Sequence, residues 1–216
     1  RAINIFEKVQ TLQPKLPESY VELSRAYFAK GKMSESKSAL VKALGIKPKN
    51  VAAKVALAML EIRNKKYGNA HKLANQLKSE NKKSNIGHRV KGDVYRAIVL
   101  RLAAAYKRNS SHKASISLLS DWTGRNPNDL DIVMLLAQSQ QQSGDISGAV
   151  KSLESIVAIR SNHVASLNNL AWLYYELKNP KALELAKKAY DFAPKNAAVA
   201  DTYGWVLLND GSNNSL

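Results

Sequence analysis

The sequence predicts an all-α solenoid of stacked helix–turn–helix units, and three observations carry that prediction. Apolar and small residues recur with a period of 34 over most of the 216 residues. Gly and Pro fall at fixed places within the period, where helices should end. No sustained period-2 run flanked by turn residues competes for a sheet. With Pro17 as position 1 of a unit, Tyr20, Leu23, Ser24 and Tyr27 fall at positions 4, 7, 8 and 11. Gly31 then falls at 15, Ser36 at 20, Leu40 at 24, Ala43 at 27 and Pro48 at 32.

This pattern resembles the tetratricopeptide repeat (TPR). The resemblance covers essentially the whole chain and implies one right-handed superhelix over 1–216, each unit contributing a helix A and a helix B. It also implies that the small residues at 8 and 20 mark where A and B come closest. A partial helix B over 1–16 supplies Ala2, Phe6, Val9 and Pro14 at positions 20, 24, 27 and 32. The unit from Val51 keeps Leu57, Ala58, Ala70, Ala74 and Leu77 in phase, with Lys82 in place of the Pro. The units from Leu130 and Val164 follow, the latter one residue short in its turn, and a last helix A runs over about 197–210. Gly31, Gly144 and Gly211 stand where A helices stop. Pro14, Pro48, Pro127 and Pro194 mark exits from B helices, and Ser34 is expected to cap one B helix.

One stretch breaks the rhythm. The unit from Asn85 keeps phase only through Tyr95, and Arg96 then behaves as position 1 of a new unit. Two explanations compete: a skipped segment of about 23 residues, the remainder of a repeat, or one long helix over 85–108. Good phase on both sides favours the first.

Charge is uneven along the chain. Residues 1–113 hold 25 Lys+Arg against 7 Asp+Glu, whereas 114–216 hold 8 against 10. The first half therefore suits an acidic partner, set against the plainer reading of a solvated Lys-rich surface. There is no Cys, which excludes disulfides, thiolate metal sites and a cysteine nucleophile. No run of about 18 apolar residues is present to span a membrane. The chain starts at Arg1 inside a periodic segment, so we expect a fragment, with any signal peptide or lipid anchor lying outside it.

Catalytic and cofactor motifs are missing. His71, His88, His112 and His163 form no metal-ligand spacing, and no phosphate loop, dinucleotide fingerprint or nucleophile elbow occurs. Ser34-Glu35-Ser36-Lys37 matches SxxK but lacks its partner motifs. No enzyme activity, metal or cofactor is expected.

The TPR resemblance implies that helix A lines a concave groove through positions 2, 5, 9, 12 and 13. On this chain those positions and their neighbours give Arg25, Phe28, Val55, Met59, Ile62, Arg63, Arg89, Asp93, Lys107 and Arg108 early. Met134, Gln138, Gln141, Gln142, Asn168, Trp172, Tyr175, Asp201 and Trp205 follow later. The groove is thus basic and apolar at its start, aromatic and amide-rich at its end. Arg can hold carboxylates or phosphates through forked, charge-assisted hydrogen bonds, and Trp and Tyr anchor partners. A protein or peptide partner is expected, an acidic one included. The plainer readings are solvated arginines and tryptophans wedged between helices. The Lys and Asn set of the family's carboxylate clamp does not occur in three adjacent units, which argues against a chaperone tail. Aromatic and amide side chains also suit a polysaccharide. Nucleic acid is disfavoured, because exposed aromatics do not interleave the basic half.

Ser166-Leu167-Asn168-Asn169-Leu170-Ala171-Trp172 and Asp201-Thr202-Tyr203-Gly204-Trp205 resemble the C-terminal repeats of bacterial TPR lipoproteins of the PEP-CTERM/exosortase and exopolysaccharide systems. That resemblance implies a scaffold in the periplasm or at the outer membrane, tethered only through an anchor outside this chain.

Overall fold

The structure is a computed structural model that describes residues 2–81 and 88–209, with side chains for 2–77 and 95–209. The described residues form twelve α-helices and no strand. They divide into two compact units, Arg1–Asn109 and Ser110–Leu216. The first unit holds α1 (Ala2–Leu12), α2 (Pro17–Ala29), α3 (Met33–Ile46), α4 (Val51–Arg63), α5 (Tyr67–Asn81) and α6 (His88–Arg108). The second holds α7 (His112–Thr123), α8 (Leu130–Gln142), α9 (Ile146–Ile159), α10 (Val164–Glu176), α11 (Ala182–Phe192) and α12 (Ala197–Asn209). None of the helices is long and apolar enough to cross a membrane, among the described residues.

Small residues set the spacing of the helices. Ser24, Ala58, Ala103, Ala137 and Ala171, at position 8 of successive units, are all buried. So are Ser36, Ala70, Ser115 and Ala149 at position 20. Where both partners of a pair are serines they satisfy each other: the Ser24 and Ser36 hydroxyls lie 2.8 Å apart across α2 and α3. Leucines fill the space around these contacts. Leu40, Leu57 and Leu60 pack with Val21 in the first unit, and Leu153, Leu170 and Leu173 pack together in the second.

Helix ends follow one repeated device. After α2, the Lys32 amide donates to the Tyr27 carbonyl at 2.9 Å and Gly31 to Phe28 at 3.0 Å, with Gly31 at φ 73°. These are the two bonds of a Schellman C-cap. The pair recurs at Lys65–Lys66 after α4, at Gly144–Asp145 after α8 and at Lys178–Asn179 after α10. The left-handed residue is Gly twice, but Lys65 (φ 58°) and Lys178 (φ 54°) adopt it as well, and so does Ser110 (φ 52°) after α6. Gly31 and Lys65 are one period apart, as are Ser110, Gly144 and Lys178. From Lys65 to Ser110 the spacing exceeds the period by eleven residues.

Most of that excess lies in α6, eight residues longer than α2 or α4, which runs through Tyr95–Arg96 as one continuous helix. The described residues thus carry a long helix at this point. α6 has 21 residues, whereas α2, α4, α8, α10 and α12 have 13 each. Eleven residues turn an α-helix through three turns plus about 20°, so an eleven-residue insertion keeps nearly the same face toward the core. Good phase on both sides is what such an insertion produces.

Two further expectations change. α3 starts at Met33 with Lys32 at its N-cap position and no side-chain cap, so Ser34 lies inside the first turn. Gly211 lies outside the described residues. The prolines do follow helix exits, two residues after Leu12, Ile46 and Phe192 and four after Thr123. His163 is a cap: its ring accepts the Ser166 amide at the start of α10.

Two stability outcomes follow from these contacts. Ala171→Leu should overpack the α10 approach and destabilise the chain by about 1–3 kcal/mol, read by urea unfolding. Lys178→Gly should stabilise by about 0.5–1 kcal/mol and Gly144→Ala should destabilise by a similar amount. Added atoms at Gly144 would meet nothing within 4 Å, so the second effect is conformational, not steric. Equal and opposite shifts in the urea midpoint would show this; no shift in either variant would exclude it.

Candidate functional site

Three helices of the first unit, α2, α4 and α6, wall a pocket of about 520 Å³. Its apolar surface comes from Phe28, Ala56, Met59, Leu60, Ile62 and Ala104, and Arg25, Arg63, Arg101 and Arg108 stand around it. Among the described residues the wall contains no Asp or Glu. Phe28 is 40% exposed, so the pocket opens to solvent.

The arginines are held differently. Arg25 is fastened to its own helix, its Nη1 2.6 Å from Glu22 Oε1 one turn earlier. The Arg63 guanidinium carbon lies 4.9 Å from the centroid of the Phe28 ring, a cation–π contact that joins α4 to α2. Arg101 and Arg108 are exposed, and neither makes an ion pair among the described residues. The nearby carboxylate Glu61 is buried and turned away: its Oε1 is 2.5 Å from Lys37 Nζ, and its Oε2 accepts from Asn69 at 3.4 Å. That ion pair also engages the lysine of the SxxK string.

Five of the expected groove residues, Arg25, Phe28, Met59, Arg63 and Arg108, therefore meet in one place, with Ile62 beside them. Lys107 is exposed and outside the pocket wall. The side chains of Arg89 and Asp93 lie outside the described residues. Arg101 and Ala104 were missed. Their signal is a helical stripe, Arg101, Ala104 and Arg108 at i, i+3 and i+7 on α6. Position numbers carried from an ideal 34-residue unit pass over Arg101.

In the second unit the expected residues lie on α8, α10 and α12. Met134 is half-buried and packs against Leu130, Val133 and Ile156. Gln138 is half-buried. The Asn168 Oδ1 is buried and accepts no hydrogen bond within the protein. The Trp172 indole N–H donates to Glu176 at 2.9 Å, and its ring centre lies 5.8 Å from that of Tyr175. Tyr175 also packs on the core of this unit. Asp201 is exposed, and Trp205, one turn further along α12, is 50% exposed. Trp172 thus has partners for its indole N–H and its ring, while Trp205 keeps half of its surface exposed. No group of three His, Cys, Asp or Glu residues placed to hold a metal ion occurs among the described residues.

Comparison with known proteins agrees with this architecture. Residues 17–50 match the tetratricopeptide repeat family. Among solved structures, the chain is similar to YrrB, described as a TPR protein with an unusual peptide-binding site. Identity there is 16% and the TM-score 0.60, with 92% of this chain and 97% of that one covered. It is similar as well to Naa15/Naa10 bound to HypK-THB, at 17% identity and a TM-score of 0.66. That match covers 98% of this chain and 32% of the other. MamA from Desulfovibrio magneticus RS-1 is similar at 11% identity and a TM-score of 0.52, over 84% of this chain and 97% of that one. No curated protein matches the sequence. The fold is accordingly an all-α solenoid of the tetratricopeptide-repeat type. Within it, the segment from Pro17 to Asn50, α2 and α3, is the stretch that carries the family's repeat.

The Phe28–Arg63 contact can be weighed directly. A double-mutant cycle of Phe28→Leu and Arg63→Gln should return a coupling of about 0.5–1 kcal/mol, measured by chemical unfolding. Strict additivity of the two substitutions would show that the stacking contributes nothing.

Proposed function

We propose that the protein is a non-catalytic scaffold that holds a peptide or protein segment on side chains presented by its A-type helices. The observation that carries this reading is the first unit's open pocket, with its apolar surface and arginine edge, assembled from three successive A-type helices. A row of such helices offers a partner a continuous surface, as in repeat proteins generally. The solved structure described as having a peptide-binding site shares the fold. In the second unit Trp172 and Trp205 supply the large amphipathic rings that anchor partner chains elsewhere. The Leu167–Trp172 and Asp201–Trp205 strings further support a place in bacterial exopolysaccharide export or envelope protein sorting.

A polyanion is the second reading, favoured by the excess of Lys+Arg in residues 1–113. The two differ in salt dependence. A polyanion bound through many phosphates or uronates loses affinity steeply with added salt, whereas a partner seated on apolar surface does so weakly.

Site-specific crosslinking tests the first reading. A photo-reactive phenylalanine analogue at Phe28 or Trp205 should trap a partner protein in cells of the source organism. The same probe at Lys151, exposed on α9, should not. Adducts of equal yield at all three positions, or none at the first two, would count against a groove scaffold. Once the trapped partner is in hand, Trp172→Ala with Trp205→Ala should weaken its binding about tenfold or more, without loss of helix content.

A further inference from the structure

We propose that the arginine-edged pocket of the first unit seats an acidic segment of a partner chain. One bulky apolar side chain of that segment rests on Phe28, Met59 and Ala104, and flanking carboxylates reach Arg63, Arg101 and Arg108. This rests on the scaffold reading above and names the partner that one of its sites selects.

The chemistry of the walls narrows the occupant. An apolar surface built from Phe28, Met59, Ile62 and Ala104 gains most by covering with hydrocarbon. A bare inorganic anion would leave it wet. A purely apolar ligand would instead bring hydrocarbon against guanidinium groups that meet no carboxylate among the described residues of the wall. A segment that alternates carboxylates with a large apolar residue satisfies both.

The arginines suit carboxylates in particular. Each guanidinium presents a planar fork that matches a carboxylate through two parallel hydrogen bonds. Arg101 and Arg108 stand two turns apart on α6, with Ala104 between them. The small Ala104 leaves a gap flanked by two cations, into which an apolar side chain fits with an acidic group to either side. Arg63 is already placed by its stacking on Phe28, so less of its side-chain freedom is lost on binding. Arg25 is partly neutralised by Glu22 and contributes less.

The openness of the site favours a chain over an enclosed small molecule. Sites for small ligands bury roughly 70–90% of the ligand surface. Phe28 in this wall keeps 40% of its own surface exposed. Nucleic acid is the poorer fit, since Phe28 is the one aromatic ring among the described residues of the wall and gives successive bases no row of rings to stack on. At longer range, the 25 Lys+Arg against 7 Asp+Glu of residues 1–113 would steer an acidic partner toward this half of the chain.

The test uses the full chain, immobilised, and a display library of random dodecapeptides. Enriched peptides should carry a large apolar residue with Asp or Glu on both sides. A synthetic copy of the most enriched peptide, measured by fluorescence anisotropy, should bind about tenfold or more weakly to Arg101→Ala and to Arg108→Ala, the loss expected of a charged hydrogen bond. Arg108→Lys should lose less. Replacing the peptide's apolar anchor by Ala, or its acidic residues by their amides, should cost a similar factor. Circular dichroism of each variant checks that these exposed substitutions leave the helices intact. Polyglutamate binding as tightly as the selected peptide would overturn the proposal, because the apolar surface would then be idle. Enrichment that depends on Trp172 and Trp205 but not on the arginines would also overturn it, while leaving the scaffold reading in place. No enrichment on either unit would count against both.

Discussion

Everything in this protein depends on the close approach of paired helices through small side chains. An α-helix with bulky residues all round cannot bring its axis near a neighbour. Here the contact points at positions 8 and 20 carry Ser or Ala, and they are buried to the point of exclusion of water. Once two helices are that close, the leucines beside the contact interdigitate and leave no void. The serine pairs show how narrow the tolerance is. Ser24 and Ser36, at positions 8 and 20 of one repeat, are buried and pair across α2 and α3 at 2.8 Å. Ser115, at position 20 of another repeat, is buried and pairs instead with Ser139 of the following helix, α8, at 2.9 Å. Without those partners each hydroxyl would be an unsatisfied buried group.

That packing has a consequence for the chain's turns. Helices held so close need tight, identical reversals, and the Schellman cap provides one. Its left-handed residue suits Gly, yet Lys65 and Lys178 occupy the same backbone state. The tertiary packing of the following helix compensates for a conformation that costs an L-residue about 1–2 kcal/mol. In α6 the apolar stripe is kept by helix geometry: an offset of eleven residues closes three turns and about 20°, so the repeat resumes with nearly the same face toward the core. Ile98, Val99, Leu102 and Ala105 remain fully buried on the extended helix.

The candidate site is a by-product of the same regularity. Stacked A-type helices must present something on the side that no B-type helix covers. In the first unit they present hydrocarbon and arginine, and in the second, aromatic rings and amides. The two surfaces differ in chemistry although the backbone beneath them is built by one rule. This separation of scaffold from surface is what lets one architecture carry unrelated binding specificities.

Much of this was legible in the sequence because it is local. Small residues, prolines and glycines recur at intervals shorter than a repeat, so helix ends and buried faces could be assigned from spacing alone; α2, α4, α8 and α10 begin at the expected Pro17, Val51, Leu130 and Val164. The helix faces on which Arg25, Phe28, Met59, Arg63 and Arg108 stand were legible for the same reason, since each is a fixed step along its own helix. Convergence was not. That Arg101 joins the pocket depends on how the lengthened α6 packs beside α4, a relation between segments some forty residues apart in the numbering. Glu61 turning inward to Lys37, and Arg63 stacking on Phe28, are likewise contacts between different helices. By itself the sequence determined which face each helix buries, because that is set by a period of 3.6 residues within the helix. Only the tertiary structure decided which exposed faces share a pocket, because the rotation and reach of one helix against another are set by packing volumes that no single segment contains.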